Sequence, residues 1–398
     1  MNETKKPAVR FKGFSDKWEQ QKFNDILEKY EDPVATPHDG YERLGVRSHA
    51  KGTFHSYVAP GAELETAQMH RVAANKMLFN ITFAWEHAVA ITGEMDAGKL
   101  VSHRFPQFSF NPEMSPKFFK YVISNEKFRY HLWLSSPGGA GRNRVLNIPE
   151  MLKYQTYLPE KSEQDLLADW FIHLDELIEQ HQSKLEKLQS LKASMLEKMF
   201  PKDGADVPEV RFSGFSGAWE RHKVGDFLTE SRIVGHTGED AKKLTVKLWG
   251  KGVVEKTDIF GGSVHTQYYI RKNGQFMYGK LDFLHAAFGI VPPHLGGYES
   301  TLDSPAFDLF NIDGQFLMNT VTQENFYLKN GIIANGSRKA KRIHVDTFLE
   351  MDILTPSIEE QVKIGGCFLQ IDNLIISVQQ ELNKLQSIKK ALLEKMFV

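Results

Sequence analysis

One thirteen-residue stretch occurs twice in this chain, and the repetition constrains the fold more than any other feature. Residues 7–19 read PAVRFKGFSDKWE and residues 208–220 read PEVRFSGFSGAWE, identical at nine of thirteen positions, where unrelated stretches of average composition share about one. A second pair closes each half: 185–200 (LEKLQSLKASMLEKMF) and 382–397 (LNKLQSIKKALLEKMF) agree at eleven of sixteen. Landmarks repeated in the same order make the chain a tandem duplication. Between them, 30–140 and 231–335 share little that aligns by eye. Each half is therefore expected to be a variable module followed by a shared helical one.

The helical modules carry the clearest periodicity. Phe171, Leu174, Ile178, His181, Leu185, Leu188, Met195 and Met199 follow three-and-four spacing, as do Phe368, Ile371, Ile375, Val378, Leu382, Leu385, Leu392 and Met396. An apolar seam sustained over about four heptads predicts a coiled coil, with Leu174 to Leu188 and Ile371 to Leu385 at its centre. A proline precedes each helix (Pro159, Pro356), and Ser357 with Glu360 fits a capping box. His181 is the polar member of the seam, where such a residue more often fixes register than binds a ligand. Roughly 38 residues per helix would span about 57 Å.

The pairing direction follows from chain length. The link 200–208 reaches at most ~29 Å, so the second variable module must begin near the end of the first helix. A compact domain commonly has its termini close together, so that module also ends near there, where the second helix begins. The helices are thus expected to run antiparallel, giving a pseudo-two-fold arrangement with one variable module at each end. Duplex DNA has two-fold axes perpendicular to its length, and a protein of this symmetry suits two half-sites separated by an uncontacted gap.

Composition sets few limits. The net charge is −1, which neither favours nor opposes nucleic acid, because distribution matters more than the total. Basic clusters stand apart from the glutamate-rich helices: Arg338, Lys339, Lys341 and Arg342, and Lys242, Lys243, Lys247 and Lys251. The one cysteine, Cys367, argues against a disulfide framework or a cysteine-rich zinc site. Met1 to Lys6 is polar, so a secretory leader is not expected, and no apolar run approaches the length of a membrane span. A reducing cytoplasm is the expected setting.

Two variable domains, two repeated helices, the openings VRFKGF..KWE and VRFSGF..AWE, and the helix leaders PEKSEQ and PSIEEQ together resemble the specificity (S) subunit of type I restriction-modification systems, over essentially the whole chain. That resemblance implies an α+β architecture with two α/β target-recognition domains, 1–158 and 201–355. Between them would lie a long antiparallel two-helix coiled coil built from spacer segments 159–200 and 356–398. It also implies a bacterial or archaeal protein that binds double-stranded DNA, docks two methyltransferase subunits, and is joined by restriction/translocase subunits for cleavage. In this family a glycine-rich turn with a basic patch often precedes each helix. Here the matching stretches are Gly138, Gly139, Gly141, Arg142 and Arg144, then Gly336, Ser337, Arg338, Lys339 and Lys341.

No catalytic set is visible. An adenine methyltransferase needs an Asn/Asp-Pro-Pro-aromatic loop, and Asn111-Pro112-Glu113 and Val291-Pro292-Pro293-His294 do not supply it. No glycine fingerprint follows a plausible strand, and no histidine has metal-ligand spacing, so no cofactor or metal is expected. Gly93 to Lys99 (GEMDAGK) mimics a phosphate loop until Leu100 stands where Ser or Thr would hold magnesium, and Asp96 would put a negative charge inside the cradle. A turn inside the first domain is the preferred reading.

The residues favoured for DNA contact in the first domain are Arg43, Arg47, Ser48, His49, Ser102, His103, Arg104, Arg142, Asn143 and Arg144. In the second they are Lys247, Lys251, Tyr268, Tyr269, Arg271, Lys280, Ser337, Arg338, Lys339 and Lys341. Arg and Lys can pair guanine edges or neutralise phosphates, while Asn and Ser add polar contacts. Trp18, Trp219, Phe11, Phe14, Phe212 and Phe215 recur in both openings, so they are read as packing residues rather than base-stacking ones. Two other classes compete with the DNA reading. A coiled-coil scaffold with protein-binding modules would lack salt-dependent DNA binding. An ATPase at Gly93 to Lys99 would lose nucleotide binding on Lys99→Ala.

Overall fold

The computed structural model describes residues 4–63, 68–138, 144–238, 240–257, 264–332 and 342–397. The chain forms two compact units, Met1–His181 with Glu381–Val398, and Gln182–Gln380. Both long helices, Lys161–Met199 and Ile358–Met396, are shared between the units, so each unit owns a sheet-rich domain and a segment of each helix.

In the first unit, Trp18–Lys22 pairs antiparallel with Gln155–Leu158, the strand that leads into the first long helix. A four-stranded sheet runs in the order Leu27–Tyr30, Gln107–Phe110, Met77–Phe79, Val89–Ile91. A five-stranded sheet contains the hairpin Tyr41–Val46 and Thr53–Val58 beside Leu100–Ser102. Two short helices, Pro116–Val122 and Glu126–Leu134, close the core. Asn125 caps the latter by accepting from Phe128 N–H at 2.7 Å. Phe23, Phe118, Phe119 and Phe128 are fully buried there, and truncating any one to alanine should cost about 3–5 kcal/mol.

The second unit repeats most of this order, with the five-stranded sheet of the first replaced by a three-stranded and a two-stranded one. Glu220–Lys223 pairs with Asp352–Thr355 ahead of the second long helix. Its four-stranded sheet reads Leu228–Ser231, Ala306–Leu309, Phe276–Tyr278, Phe288–Ile290, the same sequence of positions as in the first unit. The hairpin Leu244–Val246 and Val253–Glu255 stands for Tyr41–Val46 and Thr53–Val58. The helices Gly314–Val321 and Glu324–Gly331 stand for the two short helices. Regions that share little visible sequence therefore share a fold. What persists is the set of backbone positions that only certain conformations can fill: left-handed His87 and Ala286 end matching 3-10 turns, and Gly98 and Gly297 follow the next ones.

The repeated openings are packing devices. Trp18 and Trp219 are 1% and 3% exposed, and the flanking Phe11 and Phe212 pack partly buried against the same cores. Arg10 reaches Glu163 at the first turn of the first long helix through two bonds of 2.6 Å. Arg211 reaches Glu360 of the second through two of 2.7 Å. The next residue in each helix finishes the joint. Gln164 donates to Pro159 O at 2.9 Å and accepts from Ser115 N–H at 3.0 Å. Gln361 donates to Pro356 O at 2.9 Å and accepts from Asp313 N–H at 3.1 Å. The capping box expected at Ser357 and Glu360 is thus only half made. Ser357 Oγ sits 3.5 Å from Glu360 N, while the Glu360 carboxylate turns to Arg211 rather than back to the cap.

Within each unit the helix segments run antiparallel. In the first, Asp175 pairs with Lys389 and His181 faces Glu381 at 3.2 Å, so contacts fall in number on one helix as they rise on the other. In the second, Lys192 meets Asp372 at 2.5 Å and Phe200 meets Phe368 at 6.1 Å between ring centres. Leu174, Leu185, Ile371, Val378 and Leu382 are buried, and Ile178, His181, Leu188, Ile375 and Leu385 are half-buried. His181 Nδ1 also donates to Leu177 O at 2.7 Å, which fixes its ring on its own helix. No helix among the described residues is long and apolar enough to cross a membrane.

Candidate nucleic-acid interface

In the first unit three loops and one returning segment are sewn together by backbone bonds. The 47–52 turn of the hairpin binds the 80–87 loop: His49 N–H donates to Glu86 O at 2.9 Å and Ala50 N–H to His87 O at 2.8 Å. Ile81 N–H donates to Arg104 O at 3.1 Å, tying in the 102–106 turn, and Leu146 N–H donates to Ile81 O at 2.9 Å. The second unit makes the same four bonds: Trp249 to His285 at 2.7 Å, Gly250 to Ala286 at 2.8 Å, Lys280 to Asp303 at 2.9 Å, and Ile343 to Lys280 at 3.1 Å.

The hairpin turn is strained in both. His49 and Ala50 have φ of 61° and 51°, and Trp249 and Gly250 have 60° and 63°. A left-handed conformation costs a non-glycine residue about 1–2 kcal/mol, so two bonds to a neighbouring loop are needed to hold it.

This face gathers many of the expected residues. Arg47, Ser48 and His49 lie on the turn, with Ser48 Oγ donating to Glu86 Oε2 at 2.8 Å. Arg47 donates to Thr53 O and lies 5.5 Å from the centre of the Phe54 ring. Arg43, Ser102, His103 and Arg104 line one cleft of about 570 Å³ together with Phe54, Asn80, Thr82 and Phe83. Arg144 lies 4.8 Å over Trp133 and 5.9 Å from Trp85. In the second unit Lys247 and Lys251 are exposed on the turn, and Lys280 is half-buried on the adjoining loop. Burial lowers the Lys280 pKa, opposed by the charges of Glu230 and Asp303. Arg142, Asn143, Ser337, Arg338, Lys339 and Lys341 lie outside the described residues.

Three expected residues lie on a strand rather than on the hairpin turn: Tyr268 and Tyr269 belong to Gln267–Ile270, and Arg271 follows it. Tyr268 is buried, with Lys243 over its ring at 5.2 Å. Arg271 is 1% exposed, and burial pushes its guanidinium down to about 10. It donates to Ser300 Oγ at 2.8 Å, Ser231 O at 2.9 Å and Ser304 O at 3.3 Å. It therefore braces the 301–305 turn from inside and presents no charge to solvent.

Residue typing alone missed the exposed aromatic residues on and beside these loops: Trp249 and Phe83 are 56% and 48% exposed, Phe54 on the hairpin strand 40%, and Trp133 on the helix Glu126–Leu134 44%. A signal was present, since 44–52 and 244–252 both fit L-x-V-[RK]-x-x-x-K-G. The Gly93 to Lys99 stretch is a turn. Asp96 accepts from Gly93 N–H at 2.8 Å, Thr53 Oγ1 at 3.0 Å and faces His55 at 2.7 Å. A strand, Leu100–Ser102, follows in place of the helix a phosphate loop requires. Among the described residues no group of three or more His, Cys, Asp or Glu could hold a metal ion.

The architecture defines a duplicated scaffold: two copies of one mixed domain, each joined to an antiparallel helix pair and carrying a different set of side chains on the same loops. No protein-family profile matches the sequence, and no curated protein does. Among solved structures, the S subunit of a type I restriction-modification system from M. genitalium is similar over 98% of this chain and 99% of that one. Its TM-score is 0.59 at 14% identity. The HsdS subunit from Thermoanaerobacter tengcongensis covers 96% of each chain at TM-score 0.46 and 13% identity. A chain from a type I R-M system structure covers 95% of this chain and 97% of its own at 0.47 and 13%. The chain has the fold of the M. genitalium S subunit. The two weaker likenesses add nothing to that.

Proposed function

We propose that this chain is the DNA-specificity subunit of a type I restriction-modification complex and has no catalytic centre of its own. Modules 1–158 and 201–355 each read one half of a split, asymmetric target. Segments 159–200 and 356–398 set the spacing between the halves and dock two methyltransferase subunits, with restriction/translocase subunits completing the complex. The observation that carries this reading is the four-bond loop face, built identically in both units but furnished differently: Arg47, Ser48, His49 and Arg104 in one, Lys247, Trp249, Lys251 and Asp303 in the other. A constant frame with two unlike cationic faces suits two unlike half-sites, cations holding phosphates while the remaining side chains discriminate bases. Support for helix docking comes from Ile358, Val362, Leu369 and Ile376, exposed at spacings of four and seven along the second helix, off the buried Ile364, Phe368 and Ile371 line. Solvent-facing apolar rows of this kind mark protein-binding surfaces.

The test is to co-express the chain with the methyltransferase encoded beside it and map methylated adenines across a genome. The same mapping is then run with 208–355 replaced by the corresponding domain of another S subunit. A bipartite motif whose one half alone changes is expected. Methylation without a split motif, or changes in both halves, would refute the reading.

A further inference from the structure

Trp249 stands in a place where physical chemistry favours almost any other residue. It is 56% exposed, belongs to none of the buried clusters, and holds a left-handed backbone conformation that glycine or asparagine would adopt more easily. Its ring meets His285 edge-on at 5.6 Å, and His285 is itself exposed. Nothing in the packing of the second unit therefore calls for an indole here, while the backbone beneath it is pinned by the bonds from Trp249 N–H and Gly250 N–H. Held strain under an exposed side chain points to a side chain that is wanted outside.

Its neighbours say what for. Leu248 and Leu281, 38% and 42% exposed, lie on the same turn and on the loop bound to it, and Lys247 and Lys251 flank them. Lysines alone would suit phosphates without discrimination. An apolar tip between two cations suits a ligand whose charged rails enclose an apolar stack, which is a duplex with its bases. The same position in the first unit is His49, with Ser48 and Thr82 where the leucines stand.

We propose that Trp249 is the base-contacting residue of the second domain, packing its ring against a base step of the half-site. His49, at the matching apex, contacts its own half-site through hydrogen bonds. The two domains then read by different chemistry from one backbone position. This rests on the DNA-specificity reading above, and the experiment separates the two. Duplexes carry the mapped target, with 2-aminopurine placed in turn at positions of the half-site assigned to the second domain by the exchange experiment. Native chain in complex with its methyltransferase, Trp249→Ala, Trp249→Phe and His49→Ala complexes are compared on target and on scrambled duplex.

Trp249→Ala should lose roughly tenfold or more in affinity for the target, the scale of removing one aromatic–base contact, with little change on scrambled duplex. Trp249→Phe should recover most of the loss. Fluorescence should change at one step of that half-site with the native chain and with His49→Ala, and stay as in the free duplex with Trp249→Ala. Full target preference in Trp249→Ala, equal losses on both duplexes, or weakened methyltransferase assembly with discrimination intact would each overturn the proposal while leaving the DNA reading standing. A native complex with no target preference would end both.

Discussion

Arg10 and Arg211 show how a repeated residue earns its place by what it closes. Each lies in a stretch that reads as a surface loop, yet each guanidinium forks onto a carboxylate that is at most 1% exposed. The hydrogen bond to Glu163 is the main cause of the raised Arg10 pKa, and Glu360 acts likewise on Arg211. Removing one partner of a buried pair leaves an uncompensated charge, which costs about 3–5 kcal/mol. Arg211→Ala should therefore lower the denaturation midpoint of the second unit by that equivalent and leave the first unit's transition in place. An unchanged midpoint would show the pair to be dispensable. The exposed pair Lys202–Glu209, with both side chains more than half exposed, should contribute far less.

At the scale of elements, the helices are the part most open to inference from sequence, because heptad spacing is a direct image of a buried stripe. The antiparallel sense follows from link length together with the closeness of a compact domain's termini, and within each unit the contacts between the helices run that way. If the helices are the ruler between half-sites, seven residues inserted at matching places in both should lengthen the gap in the methylated motif while the half-sites stay the same. A motif with its original gap would remove the helices from that role. The domains were less legible. Their shared order of strands and turns is kept by positions such as His87 and Ala286, where backbone conformation matters and identity hardly does, and Gly98 and Gly297, where φ of 84° and 91° favours glycine in both. Arg271 misled for the opposite reason. Its residue type suggests a phosphate contact, but Ser231, Ser300 and Ser304 turn it inward, and such long-range acceptors leave no local pattern. Trp249 carries no charge, and its left-handed backbone leaves no mark in the residue type.

At the scale of the whole molecule, the division into units is uneven along the chain. The second unit is one continuous stretch, Gln182–Gln380, whereas the first needs Glu381–Val398 to complete it. Met396 is a buried member of the first unit's core, and Leu392, Leu393 and Phe397 pack against it. Phe397 stacks on Phe118 at 5.4 Å and meets Trp18 edge-on at 6.2 Å. A chain ending at Gln380 should keep its second unit resistant to limited proteolysis while the first is cut. Equal resistance of both units would mean that the missing helix segment is not required.

Domains emerging from a ribosome ordinarily fold in the order they are made. Here the domain synthesised first receives the last pieces of its core, Met396 and Phe397, only after the whole stretch of the second unit has been made. The half begun first is thus the last to hold all of its own residues.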